Sequence, residues 1–316
     1  MKILVTPRSL TLHRSPLLHP LIEAGYELVY AAPGQTPSES ELMMLVRGCV
    51  GWIAGVEPIG RSVIATANDL RAISRNGTGI DNIDLAFARE RKIQILRAPA
   101  ANSRGVAELA IALAFAALRR LPFLSESLKH GHWKRELGSE IGDKRLTVVG
   151  FGAIGRQVAR MGLALDARVA IVDPFSSESV VHAVDSRLDF RELFNAVSDA
   201  DIVSLHCPPC EDGIPLVSAA LLNRFKPGSI LINTARASLV DEEATIEALD
   251  RGQLSIFATD VFRVEPPPPS ALLAHPRVVA TPHLGGYTRE SIDRATVAAV
   301  DNLLVALTRK NHTLEN

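Results

Sequence analysis

The sequence lacks a long hydrophobic run, a strong net charge and enough cysteines for a disulfide framework. Its longest strongly apolar stretch, Leu109–Leu118, has ten residues, about half of the ~20 that a membrane-spanning helix needs, so no membrane partner is expected. The 316 residues carry a formal net charge of −1, which gives no electrostatic reason to expect nucleic acid as a partner.

Neither the N-terminus nor the cysteines carries a signal for export, redox chemistry or metal binding. The apolar run within Met1–Pro7 is too short for a signal peptide and predicts a first strand, so a cytoplasmic location is expected. Besides Cys49, the cysteines are Cys207 and Cys210, a C-x-x-C pair. No second pair or histidine cluster completes a zinc site, and no metal is predicted. The chain ends at Asn316, and no regulatory extension is expected there.

Short apolar runs alternate with helical stretches in two series, which predicts two open parallel α/β sheets. With 47% hydrophobic residues, the chain is long enough to bury two cores. The first series is Lys2–Thr6, Tyr26–Ala31, Gly51–Ala54, Leu70–Ser74 and Ile93–Leu96; the second starts at Thr147 and continues through Val169–Val172, Ile202–Leu205, Ser229–Asn233, Phe257–Asp260 and Val278–Thr281.

An apolar helix between the two series predicts where the chain crosses from one domain to the other. Ser103–Arg120 is apolar around most of its circumference, so it must be buried on several sides. The following Leu121–Gly142 predicts an arm that contacts a second subunit in a homodimer; a long surface loop is the alternative. The chain should return at about Gly285, with the helix Arg289–Arg309 packing near the first domain. The fold class is therefore two Rossmann-like or flavodoxin-like domains, 1–98 with 285–316, and 99–284 inserted between these parts.

A glycine-rich turn opens the second series and predicts a dinucleotide site. Gly150, Gly152 and Gly155 follow an apolar run and precede a helical stretch. Such a turn needs missing side chains so that it can bend tightly, approach a pyrophosphate and pack its helix on the sheet. The start of the helix offers unpaired N–H groups to the phosphates.

An acidic residue at the end of the next strand predicts which dinucleotide binds. Asp173 lies near the spacing, roughly 20 residues, of the acid that binds the adenosine ribose hydroxyls. Because its carboxylate would repel a 2′-phosphate, NAD is the predicted cofactor and NADP is disfavoured.

Three further polar residues fall at, or just beyond, the ends of predicted strands in the second series. They are Arg236, Asp260 and His283. Open α/β sheets bind ligands outside the carboxyl ends of their strands, so these residues are candidates for a site beside the nucleotide.

The sequences around these residues resemble a known family. The segments 233–242, 259–266 and 281–286 resemble the three signatures of NAD-dependent D-2-hydroxyacid dehydrogenases, and 75–84 and 99–103 resemble the family's substrate loop and the entry to its crossover helix. The resemblance covers almost the whole chain. It implies that NAD binds in the inserted domain and that the reaction is hydride transfer at C2 of a small 2-hydroxyacid.

The resemblance also implies roles for individual residues. Arg236 would hold the substrate carboxylate with two hydrogen bonds, His283 would exchange the hydroxyl proton, and Glu265 would orient the imidazole. Substrate oxygens would meet the backbone N–H groups of 76–79. The implied cofactor contacts are Thr78, Gly150, Gly152, Ala153, Ile154, Gly155, Asp173, Cys207, Thr234, Ala235, Asp260, Gly285 and Gly286, and the implied substrate contacts are Arg75, Asn76, Gly77, Arg236 and His283.

The identity of the 2-hydroxyacid stays open between two kinds of substrate. The sequence around Arg75 resembles the phosphoglycerate dehydrogenase branch, which makes 3-phosphoglycerate the leading specific candidate. That branch tends to carry basic residues in the loop where this chain has Ala54–Glu57, and Glu57 would repel a phosphate within reach. Glyoxylate and hydroxypyruvate reductases are therefore competing assignments. A binding protein that senses NAD(H), of the corepressor kind, is the alternative from a different class.

Overall fold

Two units make up the structure, a computed structural model that describes residues 1–210 and 212–308. Unit 1 comprises Met1–Asn102 and the chain from Gly286 onward, and unit 2 comprises Ser103–Gly285. Residues 99–102, expected in the inserted domain, belong to unit 1 because the crossover helix begins only at Ser103. Gly285, expected in the outer domain, belongs to unit 2, where its N–H donates to Asp260.

Two parallel sheets form the centres of the units, as the two series of apolar runs predicted. In unit 1 the strand order is β2-β1-β3-β4-β5, and in unit 2 it is β12-β11-β10-β9-β6-β7-β8. The strands are β1 (Lys2–Val5), β2 (Glu27–Tyr30), β3 (Cys49–Ala54), β4 (Ala72–Arg75), β5 (Gln94–Arg97), β6 (Arg145–Val149), β7 (Arg168–Val172), β8 (Asp189–Phe190), β9 (Ile202–Leu205), β10 (Ser229–Asn233), β11 (Leu254–Thr259) and β12 (Val278–Ala280).

Helices connect consecutive strands and cover the sheets. They are α1 (Arg8–Leu12), α2 (His19–Glu23), α3 (Glu39–Leu45), α4 (Arg61–Thr66), α5 (Leu85–Glu90), α6 (Ser103–Leu118), α7 (Leu121–Lys129), α8 (Ala153–Ala164), α9 (Glu178–His182), α10 (Leu193–Ser198), α11 (Ala219–Leu222), α12 (Glu242–Asp250), α13 (Ala271–Ala274) and α14 (Arg289–Thr308). Short 3₁₀ turns lie at Pro16–Leu18 and Ala237–Leu239.

Unit 1 is covered on one face by the C-terminal helix. Ala299, Val300 and Leu303 of α14 share a core with Ile3 and Val5 of β1, with each of these side chains at most 1% exposed. This packing confirms that the chain returns to the first domain; the predicted last residue of the helix, Arg309, lies outside the described residues. The strand order reverses between β1 and β3, which makes that pair the topological switch point where open α/β sheets bind ligands.

Unit 2 is built around the apolar crossover helix. Ala110, Leu113 and Ala117 of α6 share a core with Val148 of β6 and Val158 of α8, so α6 is buried against a sheet and a neighbouring helix, as its apolar circumference predicted. The sheet reverses its strand order between β6 and β9. The sequence did not predict β8, which has only two residues at the sheet edge.

The segment after α6 begins as a helix whose side chains are all at least partly exposed. Its first part is α7, with no buried residue, and 132–140 follow without regular structure. Ion pairs from Arg120 and Lys134 to Glu136 hold this segment. Across residues 1–210 and 212–308, no helix is long and apolar enough to cross a membrane.

Candidate functional site

The predicted site residues of unit 2 follow its strands at one edge of the sheet. Because all six neighbouring strand pairs are parallel, their carboxyl ends lie at the same edge. The residues that directly follow strands there are Gly150 after β6, Asp173 after β7, Thr234 after β10 and Asp260 after β11, with Cys207 and His283 a short distance beyond β9 and β12. The edge includes the switch point between β6 and β9, where ligands bind in this class of sheet.

The glycine-rich turn requires two of its glycines for steric reasons. Gly150 has φ +100°, a conformation that side chains rarely adopt, and a Cβ there would lie 2.6 Å from the backbone of His206. A Cβ at Gly155 would lie 1.9 Å from the carbonyl oxygen of Gly150. These two positions therefore let the strand turn into α8 and let the helix pack closely on the turn.

The third glycine leaves an open cradle at the start of α8. A Cβ at Gly152 would meet no atom within 4 Å, and no side chain caps the helix, which begins at Ala153 and continues through Ile154. The first N–H groups of a helix have no partner within it, so an anion can bind them directly. The turn thus fits the pyrophosphate of a dinucleotide, and a side chain at position 152 would occupy part of that space.

Asp173 is fixed beside this turn by two backbone groups. Its Oδ2 accepts from the N–H of Phe151 at 2.6 Å, and its Oδ1 accepts from the N–H of Phe175 at 2.8 Å. Each carboxylate oxygen can accept a second hydrogen bond. The geometry therefore leaves acceptor capacity for a pair of ribose hydroxyls next to the turn.

The strand ends after β9 and β10 supply two groups that fit a nucleotide. The hydroxyl of Thr234 is buried and has no hydrogen-bond partner in the described part of the chain, and such a hydroxyl is satisfied if a ligand bonds to it. Burial raises the pKa of the Cys207 thiol to about 11, so this side chain presents a neutral surface. Neighbouring Ala235 is held by an N–H bond to Asn233 at 3.1 Å.

Arg236 is presented at the surface by a turn that Asn233 holds. The side chain of Asn233 is 1% exposed; its Nδ2 donates to the carbonyl of Arg236 at 2.9 Å, and its Oδ1 accepts from Ala235. The guanidinium of Arg236 donates to the carbonyl of Ala235 at 2.8 Å. A planar guanidinium has several N–H donors, arranged in a geometry that matches a carboxylate.

The imidazole of His283 is paired with the carboxylate of Glu265. His283 Nδ1 lies 2.7 Å from Glu265 Oε2, and the other oxygen of Glu265 accepts from the N–H of Phe262 at 3.2 Å. A carboxylate at Nδ1 favours the tautomer that carries the proton there, which leaves Nε2 to exchange a proton with a ligand. Half of the His283 side chain is exposed, so Nε2 is accessible to a small molecule.

A buried carboxylate holds the turn that carries His283. Asp260 is 1% exposed; its Oδ1 accepts from Thr281 Oγ1 at 2.6 Å and from the N–H of Leu284 at 2.7 Å, and its Oδ2 accepts from the N–H of Gly285 at 2.8 Å. His283 itself has φ +54°, a costly conformation for a residue with a side chain. Hydrogen bonds on both sides of His283 therefore fix a backbone conformation that it would rarely adopt alone.

In unit 1, the predicted substrate loop follows β4. Gly77 has φ +149°, and the guanidinium of Arg75 donates to the carbonyls of Ala54 and Asn76 at 3.5 and 2.7 Å. The N–H groups of Asn76 and Gly77 donate to Ala54 and Arg75 at 2.9 Å each. Protein carbonyls thus accept from these two N–H groups in this structure, and contact of substrate with the N–H groups of 76–79 stays a prediction.

The two remaining predicted contacts in unit 1, Thr78 and Gly286, both lie close to Asn102. The hydroxyl of Thr78 lies 3.2 Å from both the carbonyl of Ala98 and Oδ1 of Asn102. A Cβ at Gly286 would lie 3.0 Å from Nδ2 of Asn102. Close packing against Asn102 therefore explains the glycine at 286.

The sequence did not identify the residues that hold the catalytic candidates in place. Asn233 and Thr281 lay inside the segments that carried the resemblance, but no role was predicted for either. The only sequence signal was that both are polar residues at the end of, or just beyond, an apolar strand. Such residues are buried only when hydrogen-bonded, so each indicates a local turn that needs a side-chain partner.

Comparison with known proteins places the chain in a family. Residues 111–285, more than half of the chain, match the family described as D-isomer specific 2-hydroxyacid dehydrogenase, NAD binding domain. A D-3-phosphoglycerate dehydrogenase of Archaeoglobus fulgidus is 37% identical over 237 residues, which are 74% of this chain and 44% of that protein. A hydroxypyruvate reductase of Thermotoga maritima is 35% identical over 250 residues, which are 78% of this chain and 80% of that protein.

The fold is also that of a solved relative. The crystal structure of a protein from Thermus thermophilus matches with a TM-score of 0.87 at 36% identity and 97% coverage of both chains. The chain spans about half the length of the phosphoglycerate dehydrogenases that it matches. With its glycine-rich turn, its acid after β7 and these matches, the chain belongs to the D-isomer specific 2-hydroxyacid dehydrogenase family and carries that family's NAD-binding domain.

Proposed function

We propose that the protein is an NAD-dependent oxidoreductase that transfers a hydride between the nicotinamide and C2 of a D-2-hydroxyacid or 2-oxoacid. The observation that supports it most is the 2.7 Å pair between His283 and Glu265, at the same sheet edge as the glycine-rich turn. A paired imidazole is the group that a reversible alcohol oxidation needs for its proton.

Three side chains of unit 2 divide the work on the substrate. When bound, nicotinamide supplies the hydride acceptor or donor. Arg236 binds the substrate carboxylate with parallel N–H donors. Nε2 of His283 accepts the hydroxyl proton during oxidation and returns it during reduction, while Glu265 keeps Nδ1 protonated and stabilises the imidazolium.

The cofactor site of this proposal favours NAD over NADP. The N–H groups at the start of α8 hold the pyrophosphate, and Asp173 accepts from the ribose hydroxyls. A 2′-phosphate would face the carboxylate of Asp173 and lose affinity by repulsion. We expect a higher kcat/KM with NADH than with NADPH; equal or better turnover with NADPH would contradict the assignment of Asp173.

The substrate is one of two kinds that the named relatives suggest. A D-3-phosphoglycerate dehydrogenase and a hydroxypyruvate reductase are both similar to this chain, and 3-phosphoglycerate is the leading sequence-based candidate. NADH absorbance followed with 3-phosphohydroxypyruvate, hydroxypyruvate, glyoxylate, pyruvate and longer 2-oxoacids tests the reaction class. If NADH binds but no oxoacid is reduced, an NAD(H)-sensing binding protein becomes the better assignment.

A homodimer in the cytoplasm completes the proposal. The exposed apolar side chains of α7 and the segment that follows it support an interface with a second copy, because apolar side chains exposed near one another along a segment favour association. They are Leu121, Leu128, Trp133 and Leu137, between 54% and 100% exposed. The three cysteines are free thiols, which agrees with a reducing compartment.

A further inference from the structure

A cavity opens at the amino edge of the unit 2 sheet, where the strands begin. Its volume is about 300 Å³, which is the lower end of the range for small-molecule sites. The first residues of three neighbouring strands line it, namely Arg145 of β6, Arg168 of β7 and Asp189 of β8. The cavity is separate from the proposed cofactor site, because β7 separates Arg168 from Asp173 by about 16 Å of extended chain.

The lining of this cavity combines an apolar wall with charges of both signs. The apolar wall consists of Leu163, Ala167, Val169 and Ala170, each at most 6% exposed. Besides the three residues at the strand starts, the charged lining includes Asp166 and Arg187. A ligand that matches such a lining carries a negative group, a positive group and an apolar part, because an unmatched charge or polar group loses free energy when it leaves water.

Among the three arginines of the lining, Arg168 has the most donors left for a ligand. Arg187 donates through Nε and Nη2 to Asp185 at 3.0 and 2.7 Å, and Arg145 lies 3.2 Å from an aspartate with its side chain only 29% exposed. Arg168 is 66% exposed, and in the described part of the chain its guanidinium makes a single bond, to Asp143 at 3.1 Å. Because a guanidinium has five N–H donors, Arg168 can bind a ligand carboxylate.

Asp166 supplies the carboxylate that is left for a positive group. Asp189 is already paired with Arg191, whereas residues 1–210 and 212–308 give the carboxylate of Asp166 neither a hydrogen bond nor an ion pair. Asp166 also follows the last turn of α8, which ends at Ala164, and the carboxyl end of a helix attracts cations. An ammonium group at this place would interact favourably with both the side chain and the helix end.

We propose that this cavity binds a small zwitterion, namely an α-amino acid with an aliphatic side chain. Its carboxylate bonds to Arg168, its ammonium group bonds to Asp166, and its side chain lies over the apolar wall. A simple anion would face Asp166 and a simple cation would face Arg168, and each like-charge contact opposes binding. The site lies outside the proposed reaction and does not depend on it.

The test compares three probes that share one branched apolar group. L-Valine carries both charges, isobutylamine lacks the carboxylate, and isovalerate lacks the ammonium group. Saturation-transfer NMR titration at neutral pH gives a Kd for each probe with the wild-type protein. We expect a Kd of about 1 mM for L-valine and at least about tenfold weaker binding of the other two, because each loses one charge-assisted hydrogen bond. Equal binding of either single-charge probe, or no saturable binding of L-valine, would contradict the proposal.

Two matched variants, Asp166→Asn and Asp143→Asn, test which carboxylate binds the ammonium group. Asp166 and Asp143 have φ +60° and +59°, a conformation that asparagine tolerates well, so both variants should fold. Only Asp166 lines the cavity. We expect Asp166→Asn to weaken L-valine binding about tenfold, and Asp143→Asn, which releases Arg168, to bind L-valine as tightly as wild type or more tightly. Equal losses in both variants, or no loss in Asp166→Asn, would reject the assignment.

A further variant separates this cavity from the proposed catalytic residues, since an amino acid also carries a carboxylate that Arg236 could bind. We expect Arg236→Gln to keep the wild-type Kd for L-valine, and saturating NADH to leave that Kd unchanged. If Arg236→Gln or NADH abolishes the binding while Asp166→Asn does not, L-valine occupies the other edge of the sheet and the inference is wrong. None of these measurements involves turnover, so their outcome is distinct from success or failure of the proposed reaction.

Discussion

At the scale of single residues, the geometry around His283 distinguishes the group proposed to react from the groups that hold it in position. His283 presents Nε2, Glu265 holds Nδ1 at 2.7 Å, and Asp260 bonds to the backbone and to Thr281 around the histidine. His283 keeps its positive φ because those hydrogen bonds hold the backbone on both sides of it. Asp260 was predicted as a cofactor contact; that contact stays a prediction, while its bonds to the turn are observed.

Removing the imidazole tests the proton-transfer role. Positioned general acids and bases contribute about 10²–10⁴ in rate, so His283→Ala should lower kcat by that factor while the Kd for NADH changes little. Glu265→Gln keeps an acceptor beside Nδ1 but removes its charge, so we expect a smaller loss. Stopped-flow turnover and fluorescence titration with NADH measure the two quantities. A fully active His283→Ala protein would reject the role.

The pKa of another histidine, His206, predicts how the free energy of unfolding depends on pH. Burial lowers the pKa of His206 from 6.5 to about 3; its Nε2 lies 2.8 Å from Ser204 Oγ, and its buried Nδ1 has no partner in the described residues. Because the folded pKa lies below the unfolded one, the unfolded chain binds more protons between pH 3 and 6.5. The stability from neutral His206 is therefore complete above pH 6.5 and is lost as the pH falls towards 3.

The matched variant for that prediction is His206→Gln, which keeps a polar side chain but cannot titrate. Between pH 6.5 and 5.5, the wild type should lose about 1 kcal/mol more unfolding free energy than the variant does, from about 1.4 kcal/mol per pKa unit. Urea unfolding of both proteins at the two pH values gives the difference. Identical slopes would show that His206 is not held in its neutral form by folding.

At the scale of elements, the strand–turn–helix of unit 2 predicts opposite effects for two glycine substitutions. At Gly152 there is open space and φ is −72°, so Gly152→Ala should fold normally but fill the cradle and weaken NADH binding about tenfold or more. At Gly155 a Cβ would lie 1.9 Å from Gly150, so Gly155→Ala should destabilise unit 2 by about 1–3 kcal/mol. Thermal unfolding and NADH titration of both variants test this; a Gly152→Ala protein with unchanged affinity would contradict the cradle.

The sequence predicted this element better than others because its physical requirements are local. A buried strand, glycines at fixed spacing and an acid after the next strand are all readable along the chain. The two-residue β8 and the helix α7 were missed: β8 is too short for a periodic pattern, and α7 was interpreted only as part of an arm or surface loop.

At the scale of the whole molecule, the sequence predicted both parallel sheets and the insertion of one unit into the other. What it could not predict are contacts between segments far apart in sequence. The burial of Glu57 depends on Thr6 after another strand, and the turn at His283 depends on Asp260 after β11. Such contacts arise only when parallel strands bring their carboxyl ends together, so a residue type and its spacing reveal the candidates but not their partners.

Association of two copies is the prediction that belongs to the whole molecule. Leu137 is fully exposed and lies after α7, in the stretch 121–137 that carries three other exposed apolar side chains. A charge placed in an apolar interface costs stability of the complex because it must be desolvated, so Leu137→Asp should convert a dimer into a monomer. Met44→Asp is the control, because Met44 is 64% exposed on α3 in unit 1. Light scattering at micromolar concentration should give twice the monomer mass for wild type and Met44→Asp, and the monomer mass for Leu137→Asp. A monomeric wild type would remove the arm as an interface and leave 121–142 as a surface segment of a single chain.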